Sequence, residues 1–141
     1  MTSVIDASLA VKWFLNEANS ELADALMLEK IGEITVPPLF GVEVMATLVR
    51  EANIDKSNAP TMRDAIARLT SLLSDGSIKT QPQHPDQVAV AANVAIDLGH
   101  PLKDCIYLAL AIELGCELVT CDARFAAKAR GVWAQVRVLG E

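Results

Sequence analysis

Histidine, paired cysteine and long apolar runs are all scarce in this chain of 141 residues. Its two histidines, His84 and His100, each precede a proline and read as loop residues. With no second histidine or thiol at ligand spacing they do not suggest a zinc site, and neither is placed for metal-independent acid–base catalysis. Three cysteines, an odd number, argue against a disulfide framework. Cys105, Cys116 and Cys121 lie in apolar surroundings and read as small, reduced core residues of a cytoplasmic protein. Glu113 and Glu117 interrupt the longest apolar run before it reaches the length of a membrane span. Asp6 and Lys12 fall where a signal peptide would need an unbroken apolar core. No linker, repeat or low-complexity segment is visible. Positive charge is also in deficit: 12 Lys and Arg against 18 Asp and Glu leave a net charge of −6. That argues against a broad basic face for nucleic acid, but not against a local basic rim.

What is present is apolar and regularly punctuated. A hydrophobic fraction of 52% and a mean hydropathy of +0.31 place the chain among globular domains, and its length suits one domain over 1–141. Short β-branched runs at 3–5, 33–36, 78–80, 118–120 and 136–139 read as strands. Helical patterns occupy 9–15, 21–31, 39–52, 61–73, 86–98, 102–114 and 123–129, with Gly99 and Gly115 as stops. Alternation of this kind predicts an α/β fold: a three-layer α/β/α sandwich around a central parallel sheet.

The acids are placed oddly against that frame. Asp6 follows the first strand, and is either a helix cap or a site residue. Asp122 lies just beyond the fourth strand. Asp104 opens a helix whose face continues through Leu108, Ala111 and Gly115, and that apolar face should pack on the sheet. Glu43 is the only charge between Leu39 and Leu48, and needs either a basic partner such as Arg50 or a metal. If the first and fourth strands are neighbours, Asp6 and Asp122 end side by side, where ligands gather in open α/β sheets. Carboxylates gathered there repel one another, and Mg²⁺ or Mn²⁺ is the cation suited to offset this.

Taken together, Val4-Ile5-Asp6-Ala7-Ser8 with Val11-Lys12-Trp13-Phe14, the isolated Glu43, Pro101-Leu102-Lys103-Asp104 with Tyr107-Leu108-Ala109-Leu110-Ala111, and Leu118-Val119-Thr120-Cys121-Asp122-Ala123-Arg124-Phe125 resemble PIN-domain ribonucleases. The VapC-type toxins of toxin–antitoxin pairs are the most similar branch, and the resemblance spans nearly the whole chain. It implies a metal-dependent endoribonuclease in which Asp6, Glu43, Asp104 and Asp122 hold one or two Mg²⁺ or Mn²⁺ ions. Glu43 is then either a ligand or the group that positions water. The resemblance also implies supporting hydroxyls at Ser8 and Thr120. Lys12, Arg50, Lys103, Arg124 and Arg130 flank the acidic motifs and are the candidates for RNA phosphate contacts. The implied partners are RNA, a VapB-type antitoxin and a second copy of the chain in a homodimer. Trp13, Phe14, Leu39, Phe40 and Met45 are then either rim surface for an antitoxin helix and a dimer contact, or ordinary core.

Three other readings fit less well. A haloacid-dehalogenase-type phosphatase needs Asp-x-Asp after the first strand, where this chain has Ser8 as the third residue. A phosphoacceptor receiver needs an acidic pair and a late lysine that are not visible. A catalytically silent PIN-like domain that only binds a partner helix would be expected to have lost an acid, and all four are present.

Overall fold

The β-branched runs form five short strands. In the computed structural model, which describes residues 1–141, β1 is Ser3–Ile5, β2 is Ile34–Val36 and β3 is Ile78–Thr80. Glu117–Thr120 forms β4 and Val136–Val138 forms β5. Every pairing is parallel, and the order across the sheet is β3-β2-β1-β4-β5. All residues of β1 and β2 are buried, as are the last three of β4, which is the signature of strands covered on both faces.

Seven helices make the connections. They are α1 (Ala7–Ala10), α2 (Ser20–Lys30), α3 (Leu39–Ile54), α4 (Ala59–Ser74), α5 (Pro85–Leu98), α6 (Leu102–Leu114) and α7 (Ala123–Ala129). The strand order runs outward from β1 to β3, then returns past β1 to β4 and β5. Right-handed crossovers therefore set α1–α4 on one face of the sheet and α5–α7 on the other. The change of direction between β1 and β4 opens a crevice beyond their C-terminal ends.

Most differences from the sequence reading are at helix ends. The first helix begins at Ala7, not Leu9, because Asp6 caps it, and it passes into a single 3₁₀ turn at Val11–Trp13. Pro60 occupies the first turn of α4 and moves its start back to Ala59. His84 caps α5: its Nδ1 accepts from the Asp86 N–H at 3.1 Å, while Gln87 accepts from the His84 N–H at 2.6 Å. Gly99 and Gly115 end α5 and α6 in left-handed conformation, at φ 62° and 64°.

Phe40 falls on the core side of its two alternatives: it is fully buried and forms the core stripe of α3 with Val44 and Leu48 at helical spacing. Trp13, Phe14, Leu39 and Met45 are only partly buried against the core.

Candidate functional site

The pairing of β1 with β4 sets Ile5 beside Val119, so Asp6 and the Thr120–Asp122 segment leave the sheet together. Asp6 is only 4% exposed. Its Oδ1 accepts from the Leu9 N–H at 3.1 Å and from the Ser8 hydroxyl at 2.8 Å, and its Oδ2 accepts from the Thr120 hydroxyl. The cap is therefore real, and the same side chain is buried at the mouth of the crevice. Burial is the largest influence on its carboxyl and pushes the pKa up to about 6. The hydrogen bonds oppose that rise, and the charge of Asp104 adds to it. No Lys or Arg forms an ion pair with Asp6.

Thr120, whose hydroxyl joins the end of β4 to Asp6, also accepts at Oγ1 from the Asp122 N–H at 3.1 Å. Asp122 caps α7 by accepting from the Phe125 N–H at 3.0 Å, and remains exposed. Asp104 lies in the first turn of α6, where the helix dipole favours a carboxylate. Its Oδ2 is 2.7 Å from His100 Nε2. An ionised carboxylate only accepts, so that ring nitrogen carries the proton and donates. The His100 ring stacks on Phe125, with centroids 4.6 Å apart and planes at 29°. One ligand atom from each of His100, Asp104 and Asp122 lies within 4.8 Å of the others.

Glu43 arrives from α3 on the other face of the sheet. Its Oε1 accepts from the Tyr107 hydroxyl at 2.6 Å, and Lys103 Nζ lies 3.8 Å from its Oε2. The pair with Arg50 is not formed; Arg50 is exposed and has no protein partner. Lys103 is 63% exposed, so its attraction for Glu43 is screened and weak. Tyr107 itself is 1% exposed. Burial, then the Glu43 hydrogen bond, then the charges of Glu43, Asp6 and Asp104 all raise its phenol pKa far above the usual value. Tyr107 is accordingly a neutral donor with three acids close enough to act on it.

His100 and Tyr107 are thus two residues of this neighbourhood that the sequence reading did not assign to it. His100 read as a loop residue before proline. Its signal was the four-residue spacing to Asp104, which lets the two side chains meet across the start of α6. Tyr107 lies one helical turn beyond Asp104 on the buried side of α6, where an aromatic reads as core.

The basic candidates divide into two groups. Lys12 donates to the Ala18 carbonyl at 2.8 Å and lies 3.7 Å from Glu17, so it closes the loop before α2. Arg130 donates to the Val136 carbonyl at 3.1 Å and to Glu141 at 2.9 Å, so it fastens the C-terminal segment. Lys103 stands at the rim beside Glu43, while Arg50 and Arg124 are exposed without protein partners. The thiols are passive: burial raises the pKa of Cys105 and Cys116, and that of Cys121 to about 11.

Of the four predicted acids, the structure brings Asp104 and Asp122 together with His100, while Asp6 and Glu43 lie outside that close group and join the neighbourhood through Thr120 and Tyr107. Such a set suits a hard divalent cation. No curated protein matches the sequence. Among solved structures, the fold is similar to PAE2754 from Pyrobaculum aerophilum, with a TM-score of 0.70 and 23% identity over 93% of this chain and 88% of that one. It is similar to VapC20 from Mycobacterium tuberculosis, a sarcin–ricin loop cleaving toxin, with a TM-score of 0.70 and 14% identity over 89% and 94% of the two chains. It is also similar to a toxin–antitoxin complex from Klebsiella pneumoniae, with a TM-score of 0.62 and 16% identity over 96% and 95%. Likeness at these identities is likeness of fold. A PIN-domain family model matches residues 3–131, a span that includes all four acids, and the chain belongs to the PIN-domain family.

Proposed function

We propose that this chain is a Mg²⁺- or Mn²⁺-dependent endoribonuclease acting as the toxin of a toxin–antitoxin pair. PIN domains are generally nucleases. The observation that carries the reading is Asp6, a buried carboxyl with a neighbouring acid charge and no protein cation to pair with it. A divalent cation fits that donor set. Asp6, Asp104 and Asp122 would hold it, and Glu43 would serve as a further ligand or orient the attacking water. When bound, such an ion makes water a better nucleophile and stabilises the charge that builds on a phosphodiester.

The protein's own part is orientation. Three hydrogen bonds fix Asp6, and the Tyr107 hydroxyl fixes Oε1 of Glu43. Arg50 and Arg124, which have no protein partner, and the largely exposed Lys103 would meet the phosphates of a bound strand. Hydrolysis by water leaves a 5′-phosphate and a 3′-hydroxyl.

An open groove of about 630 Å³, lined by Trp13, Phe14, Met27, Leu28, Leu72 and Arg68 among others, suits the apolar face of an antitoxin helix. A self-dimer belongs to the same reading. No helix is long and apolar enough to cross a membrane.

The test is direct. Purified, antitoxin-free protein should cut RNA when Mg²⁺ or Mn²⁺ is present, stop in EDTA, and leave 5′-phosphate ends. Cleavage that persists in EDTA sinks the metal mechanism.

A further inference from the structure

We infer that His100 is a positioning residue for the metal-binding carboxylate of Asp104; this rests on the metal-site reading above. The protein hydrogen bond to Asp104 falls on one oxygen, Oδ2, and comes from His100 Nε2 at 2.7 Å. Oδ1 receives no protein donor and stays available to a cation. Donation to Oδ2 fixes the rotation of the carboxyl group, which a residue in a first helical turn would otherwise sample. The donor is itself held. Its ring stacks on Phe125 at an inclination of 29°, and its side chain is 11% exposed.

Both supports have local causes. Pro101 follows His100, breaks the chain between α5 and α6, and leaves the imidazole four residues before Asp104. Phe125 is positioned by the Asp122 cap, whose carboxylate accepts the Phe125 N–H. One side chain thereby links the start of α6 to the start of α7, and holds Asp104 against Asp122 despite their like charge. Because Nε2–H donates in the neutral imidazole, the role does not require a charged ring.

The experiment uses full-length protein with Mn²⁺ as the probe, and compares wild type with Asp104→Asn, His100→Ala and His100→Gln. Mn²⁺ affinity is read by titration calorimetry, and coordination by the nitrogen couplings of the Mn²⁺ electron-spin signal. His100→Ala should weaken Mn²⁺ binding by about 10- to 100-fold, the usual loss when the partner of a ligand is removed. His100→Gln keeps an N–H at similar reach and should recover most of that loss, although it cannot stack on Phe125. If Ala and Gln lose affinity equally, ring packing is the role and the inference falls. If His100→Ala binds as wild type does, or if the wild-type spin signal shows a directly bound nitrogen that His100→Ala abolishes, it also falls. If wild type binds no Mn²⁺, or Asp104→Asn binds it equally well, the metal-site reading fails instead.

Discussion

Two clusters of charge stand at opposite ends of the same pair of strands, and they are built almost as reflections. At the N-terminal end, β1 supplies a hydroxyl, Ser3, and β4 supplies an acid, Glu117, joined at 2.8 Å. At the C-terminal end the roles reverse: β4 supplies Thr120 and β1 supplies Asp6. The difference lies in the cations. Arg137 donates to Glu117 at 3.1 Å and Lys30 lies 4.0 Å away, whereas Asp6 has neither. Burial is the largest influence on both acids and raises both. At Glu117 the Ser3 and Arg137 hydrogen bonds and the two cations outweigh it, and the pKa is lowered. At Asp6 burial wins, and the carboxyl rises to about 6. The same fold thus pairs one acid with its own cations and leaves the other with hydrogen bonds alone.

The sharpest break in this comparison is catalytic. Asp6→Asn should reduce metal-supported RNA cleavage by at least about 100-fold, because it removes a ligand charge that no neighbour replaces. Glu117→Gln should leave the rate unchanged. Equal rates for wild type and Asp6→Asn would dissolve the contrast.

The next effect is on stability. With its folded pKa near 6 and an unfolded value near 3.9, Asp6 keeps its proton in the folded state where the unfolded chain has released it. Its contribution is therefore full below about pH 4 and is lost as pH rises through 6. In EDTA, thermal melts of wild type should fall over that range. Asp6→Asn should be flatter and gain on wild type by about 3 kcal/mol at pH 7.5, with roughly 3–5 °C for each kcal/mol. Millimolar Mn²⁺ should restore the advantage of wild type. Parallel melting curves in EDTA would show that Asp6 carries no such strain.

Tyr107→Phe removes one oxygen from a buried pair and leaves the packing intact. It should lower cleavage by about 10-fold, with Glu43 deprived of its donor. An unchanged rate would confine Tyr107 to the core.

The smallest effect belongs to the finished end. Glu117→Gln should destabilise the protein by less than about 1 kcal/mol at pH 7, because the group and both its cations are partly solvated. Its pH dependence has the opposite sign to that of Asp6. A lowered pKa gives stability above the unfolded value, lost as pH falls through the folded one. Divalent cations should not alter it, and a metal-dependent loss would blur the distinction between the two ends.

The larger plan was legible in the sequence for a physical reason. Buried parallel strands must be apolar and β-branched, so a carboxylate immediately after one, as at Asp6, marks the strand's end without any structure. The positions of Asp122 and Asp104 follow from the same logic of sheet edge and helix start. Glu43 was conspicuous because charge is rare within an apolar helical run. What stayed hidden depends on tertiary neighbours. Nothing near Glu43 in sequence indicates that its partner is Tyr107, which comes from a helix on the opposite face of the sheet. His100 was obscured by its own chain context, since His-Pro is a turn signal and the imidazole's partner appears only once α6 begins. Phe40 stayed open between rim and core because Leu39, Phe40 and Met45 are equally apolar, and only the phase of α3 separates its inward face from its rim.

The hydrogen bond between Thr120 and Asp6 spans 114 residues of chain. Closing a loop of that length is entropically unfavourable, and contacts of such high sequence separation slow folding. During synthesis the N-terminal part of the domain is available first. β1 can meet β2 early, but β4 and the acid beyond it are made only after the chain has passed through six helices. The crevice therefore has no second wall until translation is nearly complete, and any chain cut short before Thr120 carries Asp6 without its counterpart. Recovery of cleavage during refolding should accordingly follow the docking of β4 on β1, and should lag the earlier return of helical signal.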